Sequence, residues 1–194
     1  VETILLQALR DDFARVRASA AEQLGNRKTQ SAVEMLRYRV RRDADRQVRF
    51  ASLRALSEIG DEKSFSFLQD LLLDERASLD LRMETIRLFL QNPSEKGMNA
   101  IRTLLEREWT KENSRLLDEA CKQLSLQTMA GNGDLYQKML SHRSFIIRIY
   151  GIRGIGRNNI QEATDQLRQV AKEGASPQER KEARLVLEQW GKSP

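Results

Sequence analysis

VRFASLRALS, residues 48–57, reads as one face of an amphipathic helix, and the same ten-residue pattern returns five more times along the chain. The copies are VRASAAEQLG (16–25), LRMETIRLFL (81–90), LLDEACKQLS (116–125), IRIYGIRGIG (147–156) and EARLVLEQWG (182–191). Their starts are spaced by 32, 33, 35, 31 and 35 residues, a period that fits a two-helix repeat. Set in register, the first column holds Val16, Val48, Leu81, Leu116, Ile147 and Glu182, and the ninth holds Leu24, Leu56, Phe89, Leu124, Ile155 and Trp190. The sixth column is apolar (Ala21, Leu53, Ile86, Cys121, Ile152, Leu187). The fifth is mostly small (Ala20, Ser52, Thr85, Ala120, Gly151, Val186). Spacings of three, four and eight place these columns on one helical stripe, with small residues where a neighbouring helix must approach closely.

Each segment follows a second helical pattern: ILLQAL, AVEMLRYRV, FSFLQDLLL, MNAIRTLLE, DLYQKML and ATDQLRQVA. Turn residues separate the units, at Gly25-Asn26, Gly60-Asp61, Asn92-Pro93, Gly131-Asn132-Gly133 and Asn158-Asn159. Asp45, Ser78, Asn113 and Ser144 occupy the expected N-cap positions of the second helices. No alternating strand pattern occurs. The expected fold is all-α, an α-solenoid of about six antiparallel helix pairs. The repeats span roughly 2–26, 29–60, 62–92, 94–128, 132–158 and 160–191 of a single domain, 1–194.

The unit resembles the short bacterial HEAT repeat, including the type found in phycobilisome-lyase-like proteins, and the resemblance covers essentially the whole chain. It rests on a polar turn followed by a Val-Arg start: Asp12 with Val16-Arg17, Asp45 with Val48-Arg49, Ser78 with Leu81-Arg82 and Ser144 with Ile147-Arg148. Repeats four and six place Leu117 and Ala183 where the arginine belongs, so the turn-to-helix ladder is expected to break there. The resemblance implies a right-handed superhelix whose second helices line the concave face.

Of the 194 residues, 33 are Lys or Arg and 28 Asp or Glu, a formal charge of +5 that mildly favours acidic partners. No stretch approaches the roughly 18 apolar residues of a membrane span. The opening VETILLQALRDD is an amphipathic helix pattern without the basic start and cleavage site of a signal peptide, which reads as a segment excised from a longer protein. The compartment stays open, the cytoplasm being preferred, and so does the oligomeric state.

Catalytic groups are few. Cys121 is the sole cysteine and falls in a core column, while His142, the sole histidine, lies 21 positions away in an expected surface turn. Gly151, Gly154 and Gly156 sit inside a helix and read as close-packing and helix-ending positions rather than a phosphate loop. No enzyme activity, cofactor or metal is expected.

The seventh column carries the functional signal: Glu22, Arg54, Arg87, Lys122, Arg153 and Glu188, a cation in four consecutive repeats. One turn earlier stand Phe50, Met83 and Ile149, neighbours of Arg54, Arg87 and Arg153 at i,i+4. Together they form an expected ridge of cations edged with apolar side chains, suited to an acidic or amphipathic protein partner. A second patch in RYRVRRDADRQVR offers Arg37, Arg41 and Arg42 for carboxylate or phosphate contacts, weighed against a solvated helix end. Trp190 reads as packing and Trp109 is left open. The leading function is a protein-binding scaffold. Nucleic-acid binding through a basic groove is the alternative, and an accessory role like that of bilin lyases is a third reading that no motif supports specifically.

Overall fold

The computed structural model describes residues 1–193, which form twelve α-helices joined by short turns. They are α1 (Glu2–Ala8), α2 (Ala14–Asn26), α3 (Val33–Arg42), α4 (Arg46–Ile59), α5 (Glu62–Leu73), α6 (Leu79–Gln91), α7 (Glu95–Glu108), α8 (Arg115–Leu126), α9 (Gly133–Leu140), α10 (Phe145–Arg157), α11 (Thr164–Glu173) and α12 (Pro177–Gln189). Single 3-10 turns, Gln30–Ala32 and Gln161–Ala163, lead into α3 and α11. Twelve helices make six antiparallel pairs, the α-solenoid expected from the register. No helix is long and apolar enough to cross a membrane among the described residues.

The residues cluster into two compact units, Val1–Leu104 and the chain from Leu105 on. In the first, α2 packs on α4 and α4 on α6, while α1, α3 and α5 each cover their own following helix. The second repeats this plan: α8 packs on α10 and α10 on α12, with α9 on α10 and α11 on α12. Within each unit, then, first helices cover the second helices that follow them, and successive second helices stack.

The columns explain the stacking. Ala20, Ala21, Leu24, Val48, Leu53, Leu56, Ile86, Ala120, Cys121, Leu124, Ile152 and Ile155 are all but inaccessible to solvent. A stripe of this width is what a helix needs when it is flanked by a partner on either side. Val16 departs from its column and is 39% exposed, because it lies in the first second-helix, where no earlier one covers it. Close approach is decided by small residues: a Cβ on Gly25 would lie 2.6 Å from Ala55 Cα, so α2 and α4 meet backbone to backbone there.

Caps follow the sequence with one shift. Asp45 Oδ1 accepts from the amides of Gln47 (2.7 Å) and Val48 (3.2 Å), satisfying two donors at the start of α4. Ser78 and Ser144 occupy the N-cap positions of α6 and α10 without a side-chain cap bond. For α8 the cap is Ser114, whose hydroxyl accepts from Leu117 N, whereas Asn113 takes the preceding left-handed position, φ 52°. Asparagine tolerates that conformation and serine caps the helix it introduces.

The last repeat is shifted by three residues. Ser176 caps α12 in a reciprocal capping box with Glu179, and Pro177 takes the first turn. Glu179 then stands in the first column, Ala183 in the fifth and Leu187 in the ninth, at 1%, 0% and 0% exposure. Trp190, expected in the core, is instead the half-buried residue that ends the helix. A charged residue in an apolar column hid this register. Glu179 can occupy it because Arg148 pairs with it from the preceding repeat.

Candidate functional site

The arginine after each first-column residue closes its own turn. Arg17 Nη1 donates to the carbonyls of Asp11 (2.8 Å) and Asp12 (2.9 Å), Arg49 Nη1 to Asp43 (2.9 Å) and Ala44 (3.0 Å), and Arg148 Nη1 to His142 (2.7 Å) and Arg143 (2.8 Å). Arg180 Nη1 reaches Gly174 O, so repeat six keeps the contact from this residue rather than losing it at Ala183. Arg82 turns Nε to Leu72 O, and repeat four, with buried Leu117, has no such arginine.

The free edge of the guanidinium can grip the next repeat. Arg17 Nε and Nη2 hold both oxygens of Asp43 at 2.9 and 2.8 Å, and Arg39 adds a third cationic donor at 3.1 Å. Burial by itself would raise the Asp43 carboxyl. The Arg17 hydrogen bonds, the Asp45 amide and the charges of Arg17 and Arg39 outweigh it and hold the group below its ordinary value. Glu179 is lowered in the same way: burial opposes, and Arg148 and Ser176 prevail.

The seventh-column cations are placed as follows. In the first unit Arg54 Nε donates to Glu84 Oε1 (2.9 Å) and Arg87 Nη1 to Glu84 Oε2 (3.2 Å), so α4 and α6 share one buried carboxylate. In the second unit Arg153 pairs with Glu182 of α12 at 2.6 Å, a hydrogen bond that together with the charge lowers the Glu182 carboxyl. Lys122 and Arg153 line one open cleft of about 670 Å³ with Tyr150, Arg157 and the half-exposed Leu126 and Leu185. Of the apolar edge, Phe50 and Ile149 are buried, at 8% and 7% exposure, and Met83 is half-buried. Arg46 lies 4.4 Å above the Phe50 ring while pairing with Asp80, which explains why that ring is covered.

The second patch divides. Arg37 and Arg41 lay their guanidinium groups over Phe67 of α5, at 5.3 and 4.8 Å, and Arg37 also pairs with Glu34. Arg42 is exposed, at the C-terminus of α3.

Asp118 is half-buried, and burial followed by the adjacent Glu119 raises its carboxyl while Lys122 opposes. Tyr150 of α10 senses it, an aromatic neighbour that the α8 sequence alone could not reveal. Cys121 is buried and its thiol is pushed up, by burial and then by Asp118, which suppresses the reactive thiolate. His142 is only 6% exposed, unlike the surface turn expected of it. Its Nε2 bonds Trp109 O (3.1 Å), its Nδ1 accepts from Ser144 N (3.0 Å), and its ring meets Trp109 edge-on at 4.8 Å. Trp109, left open by the sequence, is thus a packing residue beneath Lys138. No group of three or more His, Cys, Asp or Glu able to hold a metal occurs among the described residues.

Comparison with known proteins agrees with this architecture. Residues 2–89 match the family model for HEAT repeats. No curated protein matches by sequence. Among solved structures, the complex of CpcE and CpcF of phycocyanin lyase from Nostoc sp. PCC7120 is similar, at TM-score 0.55 and 19% identity, covering 96% of this chain and 76% of that one. Human deoxyhypusine hydroxylase follows, at TM-score 0.53 and 16% identity over 98% and 84% of the two chains. A designed armadillo repeat protein in complex with the peptide (KR)4 gives 0.52 and 16% over 95% and 97%. At these identities the likeness is one of fold. Residues 2–89 thus match HEAT repeats, and the described residues beyond them are built of the same kind of helix pair, the fold class being an α-solenoid.

Proposed function

We propose that this protein is a non-catalytic scaffold whose second helices, in each unit, bind an acidic or amphipathic protein partner. Arg54, Arg87, Lys122 and Arg153 supply the charge, with Phe50, Met83 and Ile149 packed beneath or beside them. The observation that carries this reading is the open cleft of the second unit, where Lys122, Arg153 and Arg157 stand beside Tyr150, Leu126 and Leu185. Cations interleaved with accessible apolar surface suit a partner that offers both carboxylates and side chains to bury. In the first unit, Glu84 tethers Arg54 and Arg87 at 53% and 37% side-chain exposure. Tethering reduces the entropy lost when a partner orders them. A designed armadillo repeat protein of similar fold is found in complex with a peptide, (KR)4, although that peptide is basic.

Nucleic-acid binding is the second reading, since the chain carries a formal charge of +5. The exposed Leu126 and Leu185 beside Lys122 and Arg153 offer apolar surface that a phosphate chain does not use, which favours the protein partner.

The test begins with co-purification and mass spectrometry to identify a partner, followed by affinity measurement on the purified pair. Reversing Arg54, Arg87 and Arg153 to Glu is expected to weaken that complex by roughly tenfold to a hundredfold, about 1.4–2.8 kcal/mol. An unchanged dissociation constant, with circular dichroism showing an intact fold, sinks the ridge. A gel-shift series at low and high salt separates the second reading, because phosphate contacts weaken steeply with salt.

A further inference from the structure

The ladder that joins repeats one and two is missing its carboxylate between repeats two and three. Arg17 and Asp43 form the complete step, with the acid at the start of a tight turn, Asp43 to Asp45. In the next repeat the corresponding turn runs from Asp74 to Ser78, two residues longer. Asp74 is the counterpart of Asp43: both follow the last residue of a first helix, and each accepts from the amide two residues on, Arg76 N for Asp74 and Asp45 N for Asp43. Yet no ion pair joins Arg49 to Asp74. Arg49 donates from Nη1 alone, to its own turn, and its outward Nε and Nη2 edge is unused among the described residues.

A cleft of about 700 Å³ opens at this place. Arg41, Arg42, Arg49 and Arg76 line it, together with Asp43 and Asp74. Asp43 is already spent on Arg17 and Arg39. The side chains of Arg42 and Arg76 have no partner among the described residues, and Arg41 has only the face of Phe67. Four cations thus converge where one repeat earlier a carboxylate sits. Arg42 and Arg76 are exposed, so their guanidinium groups are solvated and open to an incoming anion.

We propose that this cleft binds an acidic peptide segment of a partner protein, one carboxylate seating on the open edge of Arg49 as Asp43 seats on Arg17, with Arg42 and Arg76 taking others. A carboxylate matches the planar fork and is the group the same contact uses in the preceding step. Asp43 and Asp74 in the walls oppose a phosphate dianion more strongly than a monoanionic carboxylate. The site lies at the turn edge of the first unit and shares with the proposed function only the acidic character of its ligand.

The probe is a fluorescein-labelled oligoglutamate peptide, titrated by anisotropy into the whole chain. Arg42→Glu combined with Arg76→Glu is expected to weaken binding at least tenfold and leave thermal unfolding unchanged, because neither side chain holds the turn together. Wild-type affinity in that variant overturns the inference. So does an affinity that falls only in an Arg54→Glu/Arg87→Glu chain, a result that would leave the second-helix reading standing. Tighter binding of a single-stranded oligodeoxynucleotide of equal length would make the cleft a phosphate site and likewise overturn it.

Discussion

Asp43→Ala is expected to cost the first unit about 3 kcal/mol, measured by urea unfolding, a loss present above about pH 4 and shrinking in acid. The Asp43 side chain is 1% exposed and lies between Arg17, at 12%, and Arg39, at 17%. Removing it strands two nearly buried guanidinium groups and frees the Asp45 amide. Breaking a buried pair by deleting one partner is costlier than the pair's net worth, since the remaining charge is left desolvated. The pH dependence follows from the lowered carboxyl. A group whose folded value is depressed stabilises above its unfolded value, about 4, and that contribution disappears as pH falls through the folded value. The wild-type chain should therefore lose stability below about pH 4, and the alanine variant should lose less over the same interval. Equal acid sensitivity of the two chains would show that the Arg17–Asp43 step contributes nothing.

Gly154→Ala is expected to destabilise the second unit by about 2 kcal/mol even though alanine is the better helix former. Alanine gains about 1 kcal/mol in a helix interior. Against this, the added Cβ would stand 2.2 and 2.4 Å from Cδ1 and Cε1 of Tyr136, a ring with 0% exposure. The ring cannot swing away, because its hydroxyl donates to Leu124 O at 2.9 Å. Burial pushes that phenol up to about 12, so it remains protonated and donating. Overpacking of this kind costs roughly 1–3 kcal/mol or more and exceeds the helix gain. Tyr136→Ala alone should cost about 3–5 kcal/mol by emptying the site. The pair of substitutions then provides the check: once the ring is gone, adding Gly154→Ala should cost nothing more, or recover some stability. Additive losses would show that Gly154 matters for a reason other than the ring.

The fold was legible because its signal is local and repeated. Leu24, Leu56 and Leu124 mark their core column without knowledge of any partner, since a period of 3.6 puts them on the stripe their neighbours cover. Legibility failed where a charge replaced an apolar residue. Glu179 belongs to the first column, but its place depends on Arg148, 31 residues away. The local clue was present, Ser176 with Glu179 three residues on, which is the pattern of a capping box. His142 was misplaced for a related reason: a turn position reads as exposed, whereas its ring packs against Trp109, 33 residues distant.

The candidate surface divides along the same line. Sequence placed Arg54, Arg87, Lys122 and Arg153 at one register position, but burial of Phe50 and Ile149 and the sharing of Glu84 depend on which helix lies alongside. Nor could the sequence show that Arg49 keeps an open edge. Arg17 and Arg49 look identical in their repeats, and they differ because the turn facing Arg49 is two residues longer.

By itself, then, the sequence determined the helix pairs, their number, and the buried stripe of the first five second helices, because periodicity and turn residues act over a few neighbours. The tertiary structure alone decided which carboxylate each arginine meets, which charges are buried and where a cleft opens. Those outcomes depend on distances between side chains some thirty residues apart, and two added turn residues are enough to change them.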